Sequence, residues 1–511
     1  MADGFWGREK EINDLVVDFQ SVKNGQTRFV TIIGDTGIGK TRMVQEFYLS
    51  LCMKHDPSEY WPKNIGDTRH TMSIVPSFSN LDENRVHQMP WMWIGLRCQN
   101  SNERNSSTQL DSALNRSRQQ IAMHLSGIFE SRARKKQNAK IGKALITVLD
   151  FAFPGINFTT EVIKTILDFV SNGISLIDSV NDIKNTLLKK KGSNDRCERV
   201  LVQEKRSLVN QTMDVFAALF SLKEKSLPTI PLILVLDDAQ WLDPITAEFL
   251  NRVLERGIKE RWPLMVIATC WENSYKEQAA KEFSELSLPH ICSGFESRGI
   301  CRCVYLSKLL DKDVLAIIQN ELPHIGVEAH NVLVEKCSGD LELLWEYIAK
   351  LKLTPGWISS DGTLRVSLYK VRGLSSKKKE LAVERILNLD NGSVGQILTC
   401  GSAQGTQFDK LFIERCKQNI PSVEFNPEDL SLADNPYNLT RNVDRPIIGE
   451  IAEFRRFLYY EIAREFFEES PEKDQIQEVL MDFYQEMIET HIIDKIERNE
   501  QIRLYEEYLF W

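Results

Sequence analysis

No stretch of these 511 residues is apolar for long enough to cross a bilayer. The greasiest region, within residues 141–190, is interrupted by Asp150, Glu161, Lys164, Asp168 and Asp178. The start, MADGFWGREKE, lacks the basic residues and apolar run of a signal peptide. Cysteine is sparse too: ten are scattered without a repeated spacing, which suits a reducing compartment better than a secreted disulfide framework. A soluble, cytoplasmic chain without a membrane span is therefore expected. No fixed-period repeat is visible, and 42% hydrophobic with 26% charged residues is ordinary globular composition, which sets aside disordered and collagen-like classes. Positive charge is in deficit at one end. Residues 371–511 carry 17 Lys and Arg against 27 Asp and Glu, a net of −10 where the whole chain has −9.

The length exceeds what one compact core can use, so about three or four packing units are expected. RFVTIIG (28–34) is short, apolar and β-branched, as a strand buried on both faces should be. WMWIGLRC (91–98), PLILVLDD (231–238), PLMVIATC (263–270) and CVYL (303–306) read the same way, with helical stretches between them. Strands alternating with helices predict a parallel sheet covered on both faces over residues 1–306. An insertion of about 99–230 interrupts it. There Leu145, Val148, Leu149 and Ala152, then Val162, Ile163, Ile166, Leu167 and Val170, keep helical spacing around a turn at FPGIN. A helical hairpin packed on itself or on the sheet is expected, with insertion into a membrane or partner as the alternative. The basic run RARKKQNAKIGK (132–143) reads as a solvated helix face. Beyond the sheet, residues 307–354 predict a helical lid and 353–374 a turn and short hairpin. Three short helices fall within 370–446, and a last acidic helical pair within 447–511, at about 447–469 and 472–500.

The chemistry concentrates in residues 34–41, GDTGIGKT, which satisfy G-x-x-x-x-G-K-[ST] between a strand and a helix. Gly34, Gly37 and Gly39, with Asp35, Thr36 and Ile38 between them, let the backbone wrap a phosphate. The following helix, with Arg42 in its first turn, points its N–H groups and dipole at the anion. Lys40 would reach the β- and γ-phosphates, and the Thr41 hydroxyl would ligand magnesium. The run LILVLDDAQWLD ends in Asp237 and Asp238, placed where the third strand emerges beside the first. Asp237 would complete the magnesium shell and Asp238 would polarise the attacking water. No guanine-reading motif is present, so ATP and ADP with magnesium are the expected ligands. A cysteine cluster, HICSGFESRGICRC, offers His290, Cys292, Cys301 and Cys303. Its spacing fits no common zinc finger, so packed thiols are favoured over a metal, with Cys301 and Cys303 on one face of a strand start.

FWGREKE, from Phe5 to Glu11 with Trp6 and Arg8 inside it, resembles the hhGRExE signature of STAND ATPases, the signal-transduction branch of AAA+-like P-loop proteins. GIGKTRMVQEF and LVLDDAQWLD are similar to the phosphate-loop and acidic motifs of that class. CSGDLELLWEYI resembles its lid segment, with Leu341 where relatives have proline. ILTCGSAQGTQFDKLFIE and FLYYEIAREFFEES resemble its winged-helix segment and the helix that follows. The resemblance spans nearly the whole chain, tightly at the phosphate end and loosely after residue 340. It implies an ASCE-like α/β P-loop NTPase with a helical lid and a winged-helix-like unit. It also implies roles for Phe5, Trp6, Arg8 and Arg42 in the nucleotide pocket, and an ATP-dependent oligomer that works with a separate effector or sensor. Two further departures are Trp271, where relatives have arginine, and Tyr460, where they have histidine; both positions in relatives sense the nucleotide.

Three function classes follow. The first is a slowly hydrolysing ATPase switch, closed with ADP and open with ATP, in signalling such as defence or stress response. Its first motif starts at residue 5, so output is expected from assembly itself, a separate partner, or portions beyond this sequence. The second is a nucleic-acid ATPase resembling an origin-recognition loader, disfavoured because the part that would read DNA is acidic. The third holds ATP only structurally, which intact Lys40, Thr41, Asp237 and Asp238 argue against.

Overall fold

The computed structural model describes residues 5–53, 74, 91–98, 121–122, 125, 143–152, 203–221, 230–281, 286–445 and 449–489. Five parallel strands form the central sheet: β1 (Arg28–Gly34), β2 (Met92–Arg97), β3 (Leu232–Asp237), β4 (Leu264–Trp271) and β5 (Cys301–Tyr305). Their spatial order is β2-β3-β4-β1-β5. Each predicted strand is present within two residues of its expected ends. One expectation needs correcting: β3 does not emerge beside β1, because β4 lies between them, pairing with β1 from Arg28↔Met265 to Gly34↔Trp271. This interposed strand is what makes the sheet ASCE-like, and it brings Trp271 level with the start of the phosphate loop.

Strands β1 to β4 bury both faces, as their continuous apolar runs require, while the edge strand β5 is only partly buried. Val30, Ile32, Ile233, Val235, Met265 and Ile267 face one core, together with Phe19 of α1 (Glu9–Lys23) and Phe47 of α2 (Lys40–Met53). Leu232, Leu234, Leu236, Leu264, Val266 and Ala268 face the other. The period of two in these lists is the pleat of a strand. The second core receives α3 (Lys143–Ala152), α4 (Gln203–Ser221), α5 (Pro244–Glu260) and, beyond α6 (Glu272–Ala280), α7 (Leu288–Glu296). Helix α5 starts where the sequence dictates. Asp243 accepts hydrogen bonds from the backbone N–H of Ile245 (2.9 Å) and Thr246 (2.8 Å), and Pro244 occupies the first helical position.

Of the predicted helical insertion, Val148, Leu149 and Ala152 are buried in the second core, so this part packs on the sheet. Residues 162–170, the FPGIN turn and the basic run up to residue 142 lie outside the described residues. Among the described residues no helix is long and apolar enough to cross a membrane, and the described cysteines are all free.

After β5 the chain forms α8 (Asp311–Glu321), α9 (Val327–Cys337) and α10 (Leu341–Leu353), which share their own core. An isolated bridge, Ile358↔Leu364, marks the predicted hairpin. Beyond α11 (Leu368–Arg372) come α12 (Lys378–Asn388), α13 (Ser393–Ser402), α14 (Lys410–Asn419) and α15 (Leu430–Asp434). They surround an antiparallel sheet of β6 (Gln407–Asp409), β8 (Gly449–Phe454) and β7 (Thr440–Arg445), in that order. Two more helices, α16 (Phe457–Glu469) and α17 (Lys473–Glu489), pack on the same core. The helix expected from 447 is therefore corrected. Residues 449–454 are the middle strand of this sheet, paired on both sides, with Ala452 opposite Phe408 and Asn442, and the helix begins only at Phe457. Pairing on both edges outweighs the helical reading of GEIAEF. The unit that starts near residue 370 thus runs past 446, to at least 454.

Candidate functional site

The loop between β1 and α2 is shaped by backbone conformations that only glycine takes without strain. Gly37 has φ +72° and Gly39 φ +93°. Lys40 folds back over this loop, and its Nζ donates to the carbonyl oxygens of Gly34 (3.0 Å) and Asp35 (2.7 Å). Burial lowers the Lys40 pKa, against the opposing fields of Asp238 and Asp237. A buried ammonium satisfied only by carbonyl oxygens has charge to give to an anion in the loop.

Thr41, one residue on, meets the acid pair. Its Oγ1 donates to Asp237, 2.9 Å from Oδ1 and 3.1 Å from Oδ2. Thr269 in β4 donates to the same Oδ1 at 2.6 Å, and its Oγ1 accepts the backbone N–H of Asp238 at 2.9 Å. Asp237 is buried, and desolvation, reinforced by the charge of Asp238, raises its carboxyl to about pKa 6 despite the Thr269 hydrogen bond. The hard oxygen donors of Thr41 and Asp237 are those magnesium prefers, so the residues fit that ion. Asp238 sits in the left-handed region at φ 55°. That backbone turns its carboxyl away from the strand, to accept from Gln240 Nε2 at 3.2 Å, with Arg97 Nε 4.0 Å from its other oxygen.

The structure therefore brings Lys40, Thr41, Asp237 and Asp238 together as the sequence predicts. It adds Arg97, Thr269 and Gln240, which sequence reasoning did not select. A charged residue closing an otherwise apolar strand was the available signal for Arg97.

The other expected pocket residues lie around this centre. Phe5 packs against the core that holds Ile38 and Leu306, and Trp6 against the core of the following helices. Arg8 donates to the Ser307 carbonyl and lies 3.7 Å from Glu11; burial lowers its pKa. These three line the seam between the sheet and the helical unit. Arg42 is paired with Glu46 one helical turn on, within α2. Leu341 rests on the loop: a methyl added at Gly39 would lie 3.6 Å from its Cδ1. At Gly37 an added methyl would lie 2.4 Å from Glu342 Cβ, so the start of α10 closes directly over the phosphate loop. Lys378 of α12 bonds both Thr36 Oγ1 (3.0 Å) and Glu342.

Trp271 and Tyr460 take different places. Trp271 packs edge-on between Trp241 (5.6 Å) and Phe457 (6.0 Å), joining β4 to α16. Tyr460 is buried in the C-terminal core against Phe454 and Phe457. A second tie crosses nearby: Arg97 Nη1 donates to Glu453 Oε1 of β8 at 3.2 Å, and Arg441 Nε to Glu453 Oε2 at 2.7 Å. A third is buried Glu346 of α10, which accepts from Tyr459 (2.7 Å) and Arg456 (3.0 Å). Cys292, Cys301 and Cys303 converge, whereas His290 turns to Ser287 at 2.9 Å.

The AAA ATPase domain family matches residues 4–267, just over half of the chain. The chain belongs to the AAA ATPase domain family. This AAA ATPase domain matches none of the curated proteins by sequence. Among solved structures it is similar to the STAND protein with a tetratricopeptide repeat sensor from Pyrococcus horikoshii. That match has 12% identity and a TM-score of 0.40, over all of this chain and 48% of the other. It is also similar to the Walker-type ATPase of Pyrococcus abyssi, at 10% identity and TM-score 0.33, over 91% and 97% of the two chains. A third likeness is to Cdc6p from Pyrobaculum aerophilum, at 10% identity and TM-score 0.31, over 90% and 94%. As an AAA ATPase domain the chain binds nucleotide.

Proposed function

We propose that this AAA ATPase is a STAND-type switch whose nucleotide state controls assembly or a partner effector, and that the conformation described above is its closed form. The observation that carries the reading is the set of ties between the acid pair and the C-terminal unit: Asp238 to Arg97, Arg97 to Glu453, and Trp271 to Phe457. An ATPase with an independent C-terminal unit has no need of them.

The geometry supports the following roles. Phosphates lie in the loop 34–41, with Lys40 released from its two carbonyls to meet them. Thr41 and Asp237 hold magnesium, which neutralises phosphate charge when bound. Asp238 orients and polarises the water that attacks the γ-phosphate, once its carboxyl is free of Arg97. Phe5, Trp6 and Arg8 flank the nucleotide at the seam, with Arg42 behind the loop. The γ-phosphate of ATP, reaching past the loop, displaces Glu342 and Lys378 and so loosens the helical unit, whereas ADP lacks that group and leaves them in place.

We read the unit of α13, β6, α14, α15, β7 and β8 as a winged helix, whose third helix is the short α15. Glu428 and Asp429 precede that helix and Asp434 ends it; Arg455 pairs with Asp434 and Lys410 lies 3.6 Å from Glu428, and the acidic excess disfavours a nucleic-acid backbone. A partner protein or a second copy of this chain is therefore the expected target, in signalling such as defence or stress response. Binding of a fluorescent ATP analogue tests the reading: release of the C-terminal unit should accompany it, seen as faster hydrogen exchange at β8. Unchanged exchange with nucleotide bound would refute the closed-form assignment.

A further inference from the structure

We infer that Cys292, Cys301 and Cys303 form a three-thiolate site for a soft, thiophilic cation, copper(I) above others. Their sulfur atoms all lie within 4.8 Å of one another. With metal–sulfur bonds of about 2.3 Å, three sulfurs arranged trigonally stand about 4.0 Å apart. The observed spacing therefore needs a contraction of under about 1 Å, within what side-chain rotation supplies.

The convergence has a structural origin. Cys301 and Cys303 are two residues apart on β5, so both side chains leave the same face of the sheet. Helix α7 packs on that face and contributes Cys292. Thr31 of β1, opposite Cys303 in the sheet, places Oγ1 3.1 Å from Cys292 Sγ, and Tyr275 of α6 places Oη 3.7 Å from Cys303 Sγ. These hydroxyls act as donors to sulfur once it is ionised, the outer shell that a buried thiolate site needs.

The donor set selects the ion. Three thiolates satisfy a three-coordinate soft cation, whereas zinc wants a fourth ligand. His290, the nearest imidazole in sequence, is turned to Ser287. Access is provided because β5 is an edge strand and Cys303 is half-buried. Binding exchanges protons for metal: one copper(I) ion enters, up to three S–H bonds break, and the protons leave to solvent with no change of oxidation state.

The test is titration of the full chain with copper(I) under anaerobic conditions, with bicinchoninate as competing chelator. One equivalent per chain should be retained, and it should protect Cys303 from alkylation as read by mass spectrometry. Cys303→Ser, at the half-buried position, should weaken retention by at least about 100-fold, while Cys416→Ser, outside the group, should not. Thermal melts of each variant separate loss of metal from loss of fold. No retention by the wild-type chain, or equal losses in both variants, would overturn the site. Retention of zinc in preference to copper(I) would overturn the choice of ion.

Discussion

Replacing Glu453 by glutamine keeps the side chain's size and one acceptor but removes the charge that anchors Arg97 to β8. Glu453 is nearly buried, with 8% of its side chain accessible against 20% for Arg97, so solvent screens the pair little. A hydrogen bond to a charged group contributes about 1.5–3 kcal/mol, and glutamine forfeits part of that from Arg97 and from Arg441. A loss of about 2 kcal/mol from the closed form multiplies the open fraction about 30-fold. Arg97 would be left to Asp238 alone, which tightens that contact while the C-terminal unit lets go. The variant should therefore show faster hydrogen exchange in residues 451–454 and faster release of a fluorescent ADP. Arg97→Ala, which frees Asp238 as well, should add a rise in ATP turnover. Wild-type exchange and ADP release in Glu453→Gln, with the fold intact by circular dichroism, would refute the claim that this pair holds the closed form.

Other expectations follow from the same geometry. Lys40→Ala should abolish ATP binding by calorimetry, and Asp238→Asn should bind ATP without hydrolysing it; turnover at the wild-type rate in the latter would remove Asp238 from the reaction. Asp237 titrates at about 6 when folded against an ordinary 3.8, so the folded state binds its proton more tightly. Without nucleotide, this group costs stability as pH rises through that window, so the stability of Asp237→Asn relative to wild type should increase between about pH 4 and pH 7 in chemical denaturation. Gly37→Ala should obstruct closure of α10 over the loop, through the 2.4 Å approach to Glu342 Cβ and the positive φ, and should lower the melting temperature of the nucleotide-free protein more than Gly294→Ala, whose added methyl meets nothing. Glu346→Ala strands Arg385 and Arg456 at a buried seam, and should cost about 3 kcal/mol or more in denaturant titration.

What was readable in the sequence was local. GDTGIGKT announces its own conformation, because the positive φ values at Gly37 and Gly39 leave few alternatives, and LVLDD needs only a strand end to present its acids. The strands were legible because burial on both faces writes an unbroken apolar run. The interposed position of β4 was not, since spatial order is set by crossovers rather than by composition. The strand 449–454 reads as helix from sequence alone because its identity depends on two partners elsewhere in the chain. Arg97 and Glu453, separated by 356 positions, carry no mutual signal. The three thiols show the same limit: their spacing fits no metal motif, and only the packing of α7 on β5 brings them within reach of one ion.

The most direct test of the switch is light scattering of the purified chain with magnesium and a non-hydrolysable ATP analogue, set beside ADP. The expected result is a larger assembly, or one captured with its effector, in the analogue alone, and a compact monomer in ADP. A monomer of unchanged size and unchanged exchange with every nucleotide would contradict it.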